Sequence, residues 1–279
     1  MTPENGPVED LTAVVTGASS GVGLAAAEEL GRRGWRVALL GRNADRLAAA
    51  TERVRAAGAA AASSYQCDFN NLDAVREVAA RLRSDHPTIH VLANNAGGNV
   101  GALRTTVDGF EETIQSNHLA HFLLSHELRD NLRGGRIINT SSGVHPQGRL
   151  DPADLNGANQ TFGTMRVYAN AKQANILFTV EATRRWPEIV STAFHPGVVR
   201  TQFGRESGLY TFFYKWMPGL RTPARGARTL VWLATVDSAD VTPGAYYFDE
   251  KPRPASPRAT DPRVAAELWT ASLAAVGLS

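Results

Sequence analysis

The sequence predicts an α/β protein built as a doubly wound parallel sheet with helices on both faces. Two observations carry that expectation. Short apolar, β-branched runs alternate with helix-patterned segments along most of the chain, and the first such run ends in a glycine-rich turn. The first strand is LTAVVTG (11–17), and a helix follows over 21–34, where Ala, Leu and Glu recur at helical spacing. Next come a strand at WRVALLG (35–41), a helix over about 43–57, a strand at SSYQCD (63–68), a helix over about 72–84 and a strand at IHVLANNAG (89–97). A further helix is expected over about 105–131, then a strand at GRIINTSS (135–142), a helix over 164–185 and a strand at IVSTAFHPG (189–197). An aromatic-rich segment follows Arg200, then a helix over 223–235, the run GAYYFD (244–249), a Pro-rich loop at 251–262 and a terminal helix. Neither a long linker nor a fixed-period repeat interrupts the pattern, so 11–279 is expected to form one domain after a polar tail at 1–10.

Composition narrows the function classes. The 279 residues are 43% hydrophobic and 20% charged, values of an ordinary globular chain, which excludes wholesale disorder. With 29 basic and 27 acidic residues the formal charge is only +2, and no long run of one sign offers a nucleic-acid footprint. The single cysteine, Cys67, excludes an intrachain disulfide framework and a cysteine-rich zinc site; it reads as a buried strand residue. The chain has no apolar stretch of membrane-spanning length, and its start, MTPENGPVED, lacks the regions of a signal peptide, so a cytoplasmic location is expected.

The chemistry concentrates at strand ends. TGASSGVG (16–23) lies between the first strand and the first helix, where Gly17 permits a tight turn and Gly21 and Gly23 leave room for a pyrophosphate at a helix N-terminus. A plain turn with Ser19 or Ser20 as helix cap is the bland alternative. After the second strand, Gly41 and Arg42 stand where a dinucleotide's ribose would lie. A carboxylate there would suit the diol of NAD, whereas an arginine suits a 2′-phosphate, so NADP(H) is favoured over NAD. Tyr168 and Lys172 in YANAK are four residues apart and share one helix face, so the lysine can stabilise a phenolate. Ser142 falls at the C-terminal end of a parallel strand, where open sheets of this class place their ligands.

Together, TGASSGVG (16–23), Asp68, NNAG (94–97), Asn117 within SNHLAHF, Ser142, YANAK (168–172) and HPGVVRT (195–201) resemble the short-chain dehydrogenases/reductases in order and spacing over nearly the whole chain. NHLAHFLLS, AKQANILFT, HPGVVRT and DPRVAAELW look most like the retinol dehydrogenase-like and WW-domain oxidoreductase-like branch, although no WW module is present. The resemblance implies a Rossmann-type fold and hydride transfer between NADP(H) and a carbonyl/alcohol pair. It makes Tyr168 the general acid/base and has Ser142 orient the substrate oxygen. Lys172 would lower the Tyr168 pKa and bind the nicotinamide ribose, and Asn117 would hold a water leading from Lys172 to solvent. On the same basis Gly17, Ser19, Ser20, Gly21, Val22 and Gly23 would hold the pyrophosphate, Arg42 the 2′-phosphate, and Asp68 and Phe69 the adenine. Asn94, Ala96 and Gly97 would line the cofactor cleft, and Pro196, Gly197, Val199 and Thr201 would meet the nicotinamide end. Two small-for-small departures stand out: Ala171 where serine is common, and Ala120 where glycine is common.

Residues 201–221 hold six of the chain's 21 aromatics. By resemblance this stretch forms a helical lid over the nicotinamide, with Phe203, Tyr210, Phe213 and Trp216 lining an apolar pocket for a bulky lipophilic carbonyl. Packing of these rings on the chain's own core, or against a membrane surface or another subunit, is the alternative. His118, His121 and His126 share a predicted helix but lack companion ligands at metal-binding spacing, so no metal is expected. Ser141 and Ser142 lie near His145 without a nucleophile-elbow pattern, which argues against a hydrolase. A regulator that binds NADP(H) without turnover is the rival function, and sugar-nucleotide epimerase chemistry lacks its substrate domain. The expected partner is a small carbonyl or alcohol, and the long helices at 105–131 and 164–185 could pair between subunits, as the resemblance suggests.

Overall fold

The computed structural model describes residues 8–99, 101–156, 163–199 and 220–278. Among them, eight strands form one sheet: β1 (Thr12–Thr16), β2 (Arg36–Gly41), β3 (Ala61–Gln66), β4 (Val91–Asn94), β5 (Arg136–Thr140), β6 (Val190–Phe194), β7 (Tyr246–Phe248) and β8 (Lys251–Arg253). Their order is β3-β2-β1-β4-β5-β6-β7-β8, parallel throughout except for the antiparallel β7–β8 pair. Strand order reverses between β1 and β4, so the chain leaves these neighbours in opposite directions and opens a crevice at their carboxyl ends.

The apolar runs become strands because both faces are covered: every residue of β1, β4 and β5 is buried. Helices α1 (Gly21–Arg32) and α2 (Ala44–Ala56) cover one face with α7 (Pro223–Thr235). Helices α3 (Leu72–Asp85), α5 (Ala120–Glu127), α6 (Thr164–Arg185) and α8 (Pro262–Ala275) cover the other. Asn43 and Asn71 accept from the first-turn amides of α2 and α3, as helix-capping side chains do. Among the described residues no helix is long and apolar enough to cross a membrane.

Two expectations change. The helix foreseen over 105–131 is broken: α4 (Glu112–Ile114) starts it, a π-helical turn spans Gln115–Leu119, and α5 completes it. Residues 105–111 instead fold back on themselves, with Thr105 bridged to Glu111, and Thr106 N donating to Phe110 O at 2.8 Å. Gly109 at φ +84° makes that reversal, and the Glu111 carboxylate then accepts from Ile114 N. Second, the Pro-rich loop contains β8, an edge strand that tolerates Pro252 because its outer side pairs with nothing in the sheet. Residues 169–179 of α6 are buried on every side within this one chain, with Ala171, Ala174 and Leu177 packed on Val264, Ala265 and Leu268 of α8.

Candidate active site

The turn after β1 is held from the loop after β4. Thr16 Oγ1 accepts from the backbone N–H groups of Asn95 (2.8 Å) and Ala96 (2.9 Å), and Asn95 Nδ2 donates to Thr16 O at 2.9 Å. Gly17, at φ +66°, lies so close to this loop that a β-carbon would come within 2.8 Å of Ala96 Cα. Gly23 is small for a different reason from the one its motif suggests. A β-carbon there would meet Asn95 Nδ2 at 2.5 Å and Gly17 O at 2.6 Å, so its bareness lets α1 seat against its own turn. Gly21 takes φ +60°. Ser20 is the N-cap residue of α1, yet its hydroxyl does not bond the helix amides, in contrast to Asn43 and Asn71. The first-turn amides of α1 are therefore left to an outside acceptor, and a phosphate suits them. Ser19 is half-buried, and Val22 is buried.

The ribose corner is equally open. Gly41 sits against Ser19, 3.4 Å from Ser19 Oγ to where its β-carbon would be, and Arg42 is exposed. Among the described residues no carboxylate pairs with the Arg42 guanidinium. Its carbonyl accepts from Gln66 Nε2 at 3.1 Å, which fixes the backbone there. After β3, the Asp68 carboxylate accepts from Asn70 N, and the buried Phe69 ring meets the His121 ring edge-on with centroids 4.9 Å apart. Phe69 thus presents mainly its backbone to a nucleotide. Asn94 lies at the end of β4. Its side chain is buried, and its Nδ2 donates to Ser125 Oγ and to Asn139 Oδ1, tying β4 to α5 and β5.

The candidate reacting groups lie beyond this cleft. Asn117 lies in the π-helical turn, fully buried, and its Nδ2 donates to Gly98 O (3.0 Å) and Thr113 O (2.9 Å). Asn117 Oδ1 is buried without a partner beside Gly97. An orphaned acceptor at this depth is a group that a bound molecule or water must satisfy. Lys172 is 3% exposed, with Nζ donating to Thr140 O at 3.2 Å and standing 5.4 Å from the centre of the Tyr168 ring. Burial pushes the Lys172 ammonium down to about 7. Two neighbours fix this lysine. Ser141 Oγ donates to the Lys172 carbonyl at 2.7 Å, and Asn175 Nδ2 donates to the same Thr140 carbonyl at 2.9 Å. Ser142, one residue farther along, is half-buried, and its carbonyl accepts from His145 Nδ1 at 2.9 Å. His145 Nε2 accepts from Ser256 N, so neither ring nitrogen serves a serine hydroxyl, as a hydrolase would require.

The turn after β6 closes the far side. Gly197 takes φ +80° with its N–H donating to His195 Nδ1, and a β-carbon there would strike the Arg221 guanidinium stem. Pro196 is half-buried beside it. Val199 turns its side chain into the core against Val22 and Gly226, so only its backbone can meet a nicotinamide amide. Thr201, Phe203, Tyr210, Phe213 and Trp216 lie outside the described residues. Sequence reasoning passed over Thr16 and Asn95 as side chains that shape the turn; a threonine directly before the glycine and the doubled asparagine of NNAG were the available signals. The three histidines of the central helix face separate partners: His118 Nε2 meets Ser272 Oγ, His121 meets Thr16 and Asn117, and His126 packs among Phe122, Trp186 and Trp269. Cys67 is buried and its thiol is pushed up to about 12, an inert side chain.

Comparison with known proteins agrees with this geometry. A relative from Streptomyces sp. (strain C5), named as a candidate daunorubicin C-13 ketoreductase, is 46% identical over 276 residues, covering 99% of this chain and 96% of its own. Human retinol dehydrogenase 13 is 33% identical over 290 residues, covering 99% of this chain and 87% of its own. A short-chain dehydrogenase from Sphingobium yanoikuyae, solved with NADPH, superposes with a TM-score of 0.65 at 26% identity, over 80% of this chain and 84% of that one. Residues 11–209 match the sequence model of the short chain dehydrogenase family, a span that holds the glycine turn, Asn117, Ser142, Tyr168 and Lys172; the chain is a member of the short-chain dehydrogenase/reductase family.

Proposed function

We propose that the protein interconverts a bulky lipophilic ketone or aldehyde and its alcohol, using NADP(H), with Tyr168 as the general acid/base. The observation that carries the reaction type is the buried Lys172 ammonium 5.4 Å from the Tyr168 ring. A phenol of ordinary pKa, about 10, is a slow proton donor near neutrality, and a cation beside it stabilises the phenolate. Bound NADPH supplies the hydride. Tyr168 gives the proton to the developing alkoxide, and the Ser142 hydroxyl orients that oxygen. Lys172, balanced near neutrality by burial, can take up and release a proton behind Tyr168. The glycine turn, the uncapped start of α1 and the orphaned Asn117 Oδ1 suit a dinucleotide lying across the crevice. Arg42, with no carboxylate partner among the described residues, favours the 2′-phosphorylated cofactor.

The substrate class is supported by the named relatives and by the sequence. The substrates that name the two relatives, daunorubicin and retinol, are both bulky. Six aromatics in 201–221 point the same way. The test is a size-graded carbonyl panel followed at 340 nm with NADPH and with NADH. Turnover of polycyclic or long-chain carbonyls in preference to small polar ones is expected. Tight cofactor binding with no turnover on any member would favour a regulator instead.

A further inference from the structure

We propose that His121 is a positioning residue that couples the cofactor turn to the proton-transfer side of the site. This rests on the reading of the protein as an NADP(H)-dependent reductase. His121 is buried at the start of α5, one helical turn after Asn117. Its Nδ1 lies 3.1 Å from the backbone carbonyl of Asn117, and its Nε2 lies 3.0 Å from Thr16 Oγ1. A carbonyl only accepts, so the ring proton sits on Nδ1 and is donated to Asn117 O. Nε2 is then an acceptor and takes the Thr16 hydroxyl hydrogen, for which, among the described residues, the carbonyl of Ala93, 3.1 Å away, is the competing acceptor. The two remaining acceptor positions of Thr16 Oγ1 are filled by the N–H groups of Asn95 and Ala96. One neutral imidazole thereby joins the π-helical turn of Asn117 to the shelf that shapes the glycine turn.

The consequence reaches both halves of the reaction. Asn117 carries the loop over the site through its bond to Gly98 O, so a shift of its backbone moves Gly97 and Gly98 with it. The groups around the ring keep it neutral and in one orientation: the Phe69 ring meets it edge-on, the ring is buried, and the charges of Lys172 and His118 also disfavour its protonation. A protonated ring would have to push a second proton at the Thr16 hydroxyl in place of the hydrogen it receives. His121 is therefore a fixed two-ended brace and not a proton carrier.

Side-chain amides separate its two ends, because the asparagine amide nitrogen falls where Nδ1 lies and the glutamine amide reaches where Nε2 lies. The experiment compares H121N, H121Q and H121L by kcat at saturating NADPH, by NADPH Kd from fluorescence, and by Tm. H121N, which keeps the donor to Asn117 O, should hold kcat within about threefold of the unmodified protein. H121Q and H121L should lose kcat by roughly 10- to 100-fold, the worth of a hydrogen bond plus a small misplacement. H121Q, which keeps an acceptor for Thr16, should bind NADPH as the unmodified protein does, whereas H121N and H121L should bind it roughly three- to tenfold more weakly. A kcat that simply follows Tm across all three variants, with no split between asparagine and glutamine, would overturn the proposal. Should the unmodified protein reduce no carbonyl at all, the reading of its function fails, and NADPH affinity alone then decides the brace: the Gln-over-Leu order supports it, and equal Kd values refute it.

Discussion

The backbone of Gly97 passes so close to Asn117 that a β-carbon at Gly97 would lie 2.7 Å from Asn117 Cγ and closer still to its Oδ1. Gly97 also holds φ +140°, a backbone conformation that side chains rarely adopt. Gly97→Ala should therefore push Asn117 out of place and strain the loop at once. A loss of about 1–3 kcal/mol in folding stability is expected from the backbone strain, with kcat falling by on the order of 100-fold if the reacting groups shift by an ångström. Denaturant titration and steady-state kinetics check the two effects separately; a variant as active as the original would show that Asn117 does not depend on this contact.

Tyr168→Phe keeps the ring beside Lys172 and removes only the phenol oxygen. Cofactor affinity should persist while kcat drops by roughly 10²- to 10⁴-fold, the usual contribution of a placed acid/base. Near-normal turnover would take Tyr168 out of the mechanism.

Arg42 is the exposed cation at the ribose corner, with Ser19 on the adjoining turn. NADPH should bind more tightly than NADH, and Arg42→Ala should narrow that gap by about 1.5–3 kcal/mol, as for a hydrogen bond to a charged group. Equal dissociation constants in the unmodified protein would contradict this.

Acid should unfold the protein through its buried histidines. Burial lowers His118, His126 and His195 to about 4 and His121 to about 3, all below the unfolded value of 6.5. Between pH 6.5 and about 4 the unfolded chain binds the extra protons, so stability is intact above 6.5 and falls on acidification, by at most about 1.4 kcal/mol per pH unit for each such group. His126, whose buried Nε2 has no partner and whose ring sits among Phe122, Trp186 and Trp269, is the cleanest probe. His126→Phe should shrink the difference in unfolding free energy between pH 7.5 and pH 5. An unchanged difference would show that this ring does not titrate on unfolding.

What the sequence revealed follows the range over which each interaction acts. Tyr168 and Lys172 were legible because an i,i+4 pair on a helix is a local relation, and the 164–185 helix appears with those bounds. The strand ends were legible because glycine punctuates them. The break at 105–111 was written locally too, in Asp108-Gly109, but the apolar residues on either side gave a helical period that masked it. Strand β8 was hidden because its pairing comes from β7 and its own residues, Lys-Pro-Arg, carry no strand signal. The bracing by His121 could not be read at all, since Thr16 is 105 residues away and a histidine on an apolar helix resembles any core residue until its two nitrogens have partners. The contacts of Asn94 with Ser125 and Asn139 were hidden for the same reason, since those partners come from other elements.

The burial of α6 sets an order of events during synthesis. Strands β1 to β6 and α6 leave the ribosome well before α8, the helix whose Val264, Ala265, Leu268 and Trp269 cover Ala171, Ala174, Leu177 and Phe178. Until α8 arrives, the helix that holds Tyr168 and Lys172 shows an apolar flank to water, a surface that a chaperone or another nascent chain would recognise. A premature stop ahead of α8 would therefore yield aggregated protein, where a stop that merely trimmed a surface helix would leave a slower enzyme. The late helix α8 acts here as the checkpoint for a site encoded upstream of it.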